Sequence, residues 1–134
     1  MEEDKIIYKE LSCKIVGLSF GIYNELGYGF QEKHYEKAFE KSLKDEKIPY
    51  KNQLFHKILF KETEIGRYYF DFLIDDKIVL ELKKGNHFLR KNIDQVKGYL
   101  KVTGYKLGII INFTPNGVKS LRILNPNNNK IANL

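Results

Sequence analysis

The sequence predicts one α/β domain, a mixed β-sheet flanked by helices, with elements in the order α-α-β-β-β-α-β. Three observations lead there. Apolar residues recur at helical spacing over the first third of the chain and then give way to strand-like runs. A further helical stretch separates the third run from the fourth, as a crossover between parallel strands requires. The 134 residues, 43% hydrophobic and 13% aromatic, suffice for one core burying roughly two-thirds of the unfolded surface.

The first helix, about Tyr8 to Leu26, aligns Leu11, Ile15, Leu18, Ile22 and Leu26, and Gly27 follows as a C-cap. A Gly27-Tyr28-Gly29 joint leads to a second helix, about Gln31 to Glu46, with Tyr35, Ala38, Phe39, Ser42 and Leu43 inward. Strands are expected at Leu54 to Lys61, Arg67 to Ile74, Ile78 to Lys83 and Lys106 to Phe113, with turns at Glu62 to Gly66 and Asp75 to Lys77. The second and third strands are apolar on both faces, as in a sheet covered by helices on both sides. The crossover helix, about Arg90 to Thr103, turns Ile93, Val96 and Leu100 inward and ends at Gly104. A last short strand runs Leu121 to Leu124, and the polar stretch from Asn125 reads as a tail. No repeat or linker divides residues 1–134, so one domain with a core of about residues 8–124 is expected.

Composition narrows the function classes. No apolar run approaches the ~18 residues of a membrane span, so no membrane partner is expected. The opening Met1-Glu2-Glu3-Asp4 is acidic with no apolar stretch after it, unlike a secretion signal. The single cysteine, Cys13, allows neither an intrachain disulfide nor a cysteine-based zinc site. A cytoplasmic location is expected. Net charge is +6, yet residues 1–81 are slightly acidic, and residues 82–134 hold ten basic groups against one acid, Asp94. Such asymmetry fits a polyanion partner, nucleic acid first, or a merely solvated lysine-rich face.

Three charges stand where apolar residues belong. Tyr69 and Leu73 are expected to share a strand face with Asp71, and Phe70 and Phe72 to occupy the other. Glu81 and Lys83 share a face opposite Leu80 and Leu82. Desolvating an unpaired ion costs on the order of several kcal/mol, so these groups require compensation. A divalent cation held by Asp71 and Glu81, hard oxygen ligands suited to Mg²⁺ or Mn²⁺, would supply it. The alternative is a structural salt bridge from Lys83 to its acidic neighbours. The metal reading needs a three-residue turn at Asp75, Asp76 and Lys77, which sets Ile74 opposite Ile78 and Asp71 opposite Glu81. A two-residue turn would separate the carboxylates.

Asp71 and Glu81-Leu82-Lys83, on a hairpin followed by a helix and a strand, resemble the PD-(D/E)XK nuclease superfamily. Gly29-Phe30-Gln31-Glu32-Lys33-His34-Tyr35 is similar to the Gly-x-x-Glu-x-x-Tyr motif of the GxxExxY family within it. Asn24-Glu25-Leu26-Gly27-Tyr28-Gly29, Gln95-Val96-Lys97-Gly98-Tyr99-Leu100 and Lys106-Leu107-Gly108-Ile109-Ile110-Ile111-Asn112-Phe113 also resemble family stretches. Two positions depart: Tyr23 stands where members often carry His, and Phe70 where the superfamily name has Pro.

The resemblance implies a restriction-endonuclease-like fold and Mg²⁺-dependent hydrolysis of nucleic acid, DNA before RNA, with Mn²⁺ as a substitute. Asp71, Glu81 and the Leu82 backbone carbonyl would ligate the metal, and Glu32 would join directly or through water. Lys83 would position or deprotonate the attacking water, and Gln95 would orient the phosphate or a ligand. Glu32 could instead be a carboxylate favoured by the helix N-terminus, and Gln95 an exposed helix residue. Tyr35 is expected to pack beside Glu32 as core. Lys84, Arg90, Lys91 and Lys97 follow the site, as does Lys101, and those flanking it would grip phosphates. His34, His56 and His87 lack metal-ligand spacing. Two other readings stay open: a non-catalytic nucleic-acid-binding or assembly module derived from a nuclease, and a dimeric Holliday-junction-type resolvase. A homodimer or an unidentified protein partner belongs with these.

Overall fold

The computed structural model describes residues 6–127. The chain forms helices α1 (Lys9–Leu26) and α2 (Glu32–Asp45), then strands β1 (Tyr50–Phe60), β2 (Thr63–Ile74) and β3 (Ile78–Lys84). Helix α3 (Arg90–Thr103) precedes strands β4 (Leu107–Thr114) and β5 (Gly117–Leu124). The five strands lie side by side in chain order. All neighbours are antiparallel except β3 and β4, which the α3 crossover makes parallel, as the sequence predicts.

Strands β3 and β4 are central because their apolar residues need cover on both sides; every residue of β4 is buried. On one face Ile15 and Ile22 of α1 and Tyr35, Phe39 and Leu43 of α2 pack against Phe72, Ile78, Leu80 and Ile109. On the other, Val96, Tyr99 and Leu100 of α3 pack against Phe70, Leu73, Val79 and Ile110. Among the described residues, no helix is long and apolar enough to cross a membrane.

Three sets of expectations, on strand bounds, on a turn and on strand faces, need correction. Strand β1 starts at Tyr50 rather than Leu54, and β5 is a full eight-residue strand from Gly117. The tip of the β1–β2 hairpin is Lys61–Glu62, both at positive φ (49° and 68°), not Glu62 to Gly66. Positive φ at both central residues gives the twist a two-residue hairpin needs; Gly66 lies within β2, paired with Ile58 beside the register shift that sets Leu59 opposite Glu64.

The third correction concerns the faces around Asp71. Phe72 belongs to the α1/α2 core, while Phe70 and Leu73 both belong to the α3 core, and Tyr69 is exposed. Alternation therefore inverts at Asp71. Gln53, level with Asp71 between the Asn52–Phe72 and Leu54–Phe70 pairs, adopts φ 53°, so both strands of the hairpin turn over together.

Gly108 of β4 lets α3 approach the sheet, because a Cβ there would lie 2.5 Å from Val96 Cγ1. Gly108→Ala is expected to cost about 1–3 kcal/mol of stability by forcing Val96 aside, read from the urea midpoint. An unchanged midpoint would contradict this packing.

Candidate active site

The β2–β3 turn takes the three-residue form. Ile74 pairs with Ile78, Leu73 with Val79 and Phe72 with Leu80, which leaves Asp71 facing Glu81. Asp75 and Asp76 adopt φ 52° and 55°, a conformation that Asp tolerates better than most residues. Regular pairing stops at Phe72–Leu80. Past that point the side chains take over: Asp71 N–H donates to Glu81 Oε1 (3.2 Å), and Leu82 N–H donates to Asp71 Oδ2 (2.7 Å). The carboxylates thus satisfy backbone donors that strand pairing leaves free, and are fixed by them.

Lys83 Nζ lies 3.4 Å from Glu81 Oε2, as the salt-bridge reading expects. One ammonium cannot offset two ionised carboxylates. Glu81 is only 7% exposed. Burial foremost, then the charge of Asp71 and their mutual hydrogen bonding, push its carboxyl up to about 8, against the opposing pull of Lys83.

A cavity of about 500 Å³ opens over this cluster, bordered by Glu36, Gln53, Tyr69, Asp71, Glu81 and Lys83. Glu36 escapes a reading of the sequence by motif. The available signal is the spacing Glu32, Glu36, Glu40, which sets three carboxylates along one face of α2. Burial, and next the charge of Asp71, raise the Glu36 carboxyl.

Glu32 stands elsewhere. Its Oε2 accepts the Lys84 N–H (3.1 Å) at the end of β3, bracing that strand against α2. It borders a second cavity of about 630 Å³ with Lys83, His87, Lys91, Asn92 and Gln95, and Lys83 lines both spaces. Asp71, Glu81 and Lys83 therefore converge, while Glu32 and Gln95 lie in the adjoining hollow. Among the described residues, no three His, Cys, Asp or Glu side chains are gathered to enclose an ion.

Asn112, within the family-like stretch Lys106 to Phe113, is paired with Lys83 across β3 and β4. It is fully buried, gives its Nδ2–H to the Gly85 carbonyl (3.3 Å) and leaves Oδ1 without a partner among the described residues. Tyr35 stacks on Phe113 with centroids 4.1 Å apart and donates to the Gly27 carbonyl, which fits its expected place in the core. Tyr23 donates to the Thr114 carbonyl (2.7 Å), a structural tie between α1 and β4.

The basic residues divide. Lys84 donates to the Phe30 carbonyl (2.8 Å) and lies over the Tyr28 ring, so it ties down the α1–α2 joint. Arg90 pairs with Asp94 (3.2 Å). Lys91 borders the second cavity, and Lys97 and Lys101 are exposed on α3.

A family model of the PD-(D/E)XK nuclease superfamily matches residues 9–123. The chain belongs to this superfamily. Asp71, Glu81 and Lys83 all lie within the matched residues. No curated protein matches the chain. Among solved structures it is similar to SSO0001, at 20% identity and TM-score 0.57, covering 92% of this chain and 60% of that one. It is also similar to an alkaline exonuclease (LHK-Exo) from Laribacter hongkongensis, at 14% identity and TM-score 0.50, covering 75% of this chain and 58% of that one. At these identities the likeness shows a shared restriction-endonuclease-like fold. The chain spans about three-fifths of the length of those structures.

The raised Glu81 carboxyl has a consequence for stability. Without metal, the folded state holds a proton on Glu81 that the unfolded state releases near pH 4.5, so stability falls between that pH and about 8. In EDTA, the melting temperature of wild type relative to Glu81→Gln is expected to drop as pH rises through this window and level off above it. A constant difference would contradict the buried-pair geometry.

Proposed function

We propose that this chain is a metal-dependent nuclease hydrolysing phosphodiester bonds of DNA, as a single domain of the GxxExxY branch of its superfamily. Carrying this reading is the convergence of Asp71, Glu81 and Lys83 beneath one open cavity, in a chain of the PD-(D/E)XK superfamily. Gly29, Glu32 and Tyr35 in their motif spacing support the branch.

The donor set fits a divalent cation. Asp71 and Glu81 offer hard oxygens, one ammonium cannot neutralise both when ionised, and space adjoins them. Asp71, Glu81 and the Leu82 carbonyl would hold Mg²⁺, or Mn²⁺ in its place. When bound, such an ion polarises a phosphate oxygen and lowers the pKa of its water.

The chain's own groups do the rest. Hydrogen bonds to the Asp71 and Leu82 amides hold both carboxylates in place before substrate arrives, so little reorganisation is needed. Lys83, partly exposed between the two cavities, positions the attacking water and meets charge on the phosphate. Glu36 and Gln53 border the same space, where they would meet water or substrate. Gln95 and Lys91 line the adjoining hollow and orient the phosphate backbone.

The test is incubation with single-stranded, duplex and branched DNA and with RNA, in Mg²⁺, Mn²⁺ or EDTA. Cleavage is expected with either metal, none with EDTA, and a loss of at least about a hundredfold for Asp71→Ala and for Lys83→Ala. Cleavage undiminished in Asp71→Ala would overturn the assignment. Salt-sensitive binding without cleavage would point to a non-catalytic binding module.

A further inference from the structure

We propose that Phe55 and Tyr69 form a base-stacking platform on the β1–β2 hairpin, which makes unpaired nucleic acid the preferred substrate. This rests on the nuclease reading and names the substrate class of that site.

The hairpin outruns its sheet. Strand β2 pairs with β3 only over Phe72–Ile74, yet with β1 along nearly its whole length. Past Asp71 the two strands project together, and the inversion at Gln53 turns Leu54, Tyr68 and Phe70 onto α3. The other face is left bare. There Phe55 and Tyr69 pair across the strands, with ring centroids 6.2 Å apart and planes inclined by 41°. They are 48% and 58% exposed.

Exposed rings alone would leave the occupant undecided, but two further features favour a nucleic acid strand. Cations flank the rings: Lys57 and Arg67 are the next cross-strand pair on that face, and the Arg67 guanidinium carbon lies 4.4 Å from the Phe55 ring centre. Glu64 engages Arg67 Nε (2.7 Å) and approaches Lys57 (3.8 Å), yet residues 50–69 retain four basic groups against two acids. The platform is also continuous with the site. Tyr69 borders the cavity that holds Asp71, Glu81 and Lys83. A base stacked on Tyr69 sets a neighbouring phosphate toward those groups. Paired bases hide their faces within the helical stack, so such a platform selects single strands, frayed ends or flaps.

The test measures binding in EDTA, where no cleavage intervenes, using fluorescein-labelled 12-nucleotide single-stranded DNA, the same sequence as RNA, and a blunt hairpin duplex. Strands carrying 2-aminopurine report stacking by quenching. Wild type is expected to prefer the single strands and quench the probe. Tyr69→Ala and Phe55→Ala should weaken single-strand binding about five- to a hundredfold and relieve quenching. Tyr69→Phe and Phe55→Tyr should restore both to within about twofold, which a merely structural role of one hydroxyl would not produce. The same ring dependence on the RNA strand supports the platform equally. Circular dichroism and melting check that the alanine variants fold.

Unchanged affinity and quenching in alanine variants that fold would overturn the proposal, as would equal ring dependence on the duplex. So would a wild-type dimer in sedimentation that either alanine variant splits, since the rings would then be an interface between two copies. Cleavage in Mg²⁺ is read separately. Asp71→Ala that loses cleavage but keeps ring-dependent binding upholds both readings, whereas binding without any wild-type cleavage removes only the nuclease.

Discussion

Two backbone amides, those of Asp71 and Leu82, donate to carboxylates instead of to carbonyls of the neighbouring strand. Carboxyl oxygens thus take the place of ladder carbonyls, which lets β2 leave β3 without stranding buried donors. It also pins Asp71 and Glu81 against each other, and the charge of Asp71 helps to raise the Glu81 carboxyl. Positions of both acids follow from this arrangement, and so does the opening above them.

The remainder of the fold makes that opening tolerable. Strands β3 and β4 are sealed between α1 and α2 on one face and α3 on the other, which anchors Glu81 and Lys83 on the most deeply buried part of the sheet. Glu32 braces the far end of β3 through the Lys84 amide, and Asn112 ties Gly85 to β4. The hairpin beyond Asp71 is held by α3 on one side only. Firm support below and a bare projecting arm beside it are what the proposed nucleic-acid substrate requires.

Much of this was readable in the sequence, for physical reasons that attach to particular residues. Asp71, Glu81 and Lys83 stood out because charges within apolar strands demand compensation. The sequence alone leaves their register open between a three- and a two-residue turn; in the fold Ile74 pairs with Ile78 and both are buried in one core. Inversion at Asp71 was not readable, because Gln53 adopts a left-handed backbone that nothing in its type announces. Gly66 drew the expected turn away from Lys61–Glu62 because glycine signals both turns and irregular strand pairing. Glu32 was singled out by motif, yet the carboxylate sharing the cavity with Asp71 is Glu36, one helical turn on. A glutamate in a lysine-rich helix reads as solvated surface, and only its packing against β1 and β2 distinguishes it.

Crystals soaked in Mn²⁺, with anomalous diffraction recorded at the manganese edge, test directly whether Asp71 and Glu81 are joined by an ion. A single anomalous peak is expected between the two carboxylates and the Leu82 carbonyl, and its loss in Asp71→Ala crystals. Carboxylates turned to opposite sides of β2 and β3, with no peak between them, would contradict the account.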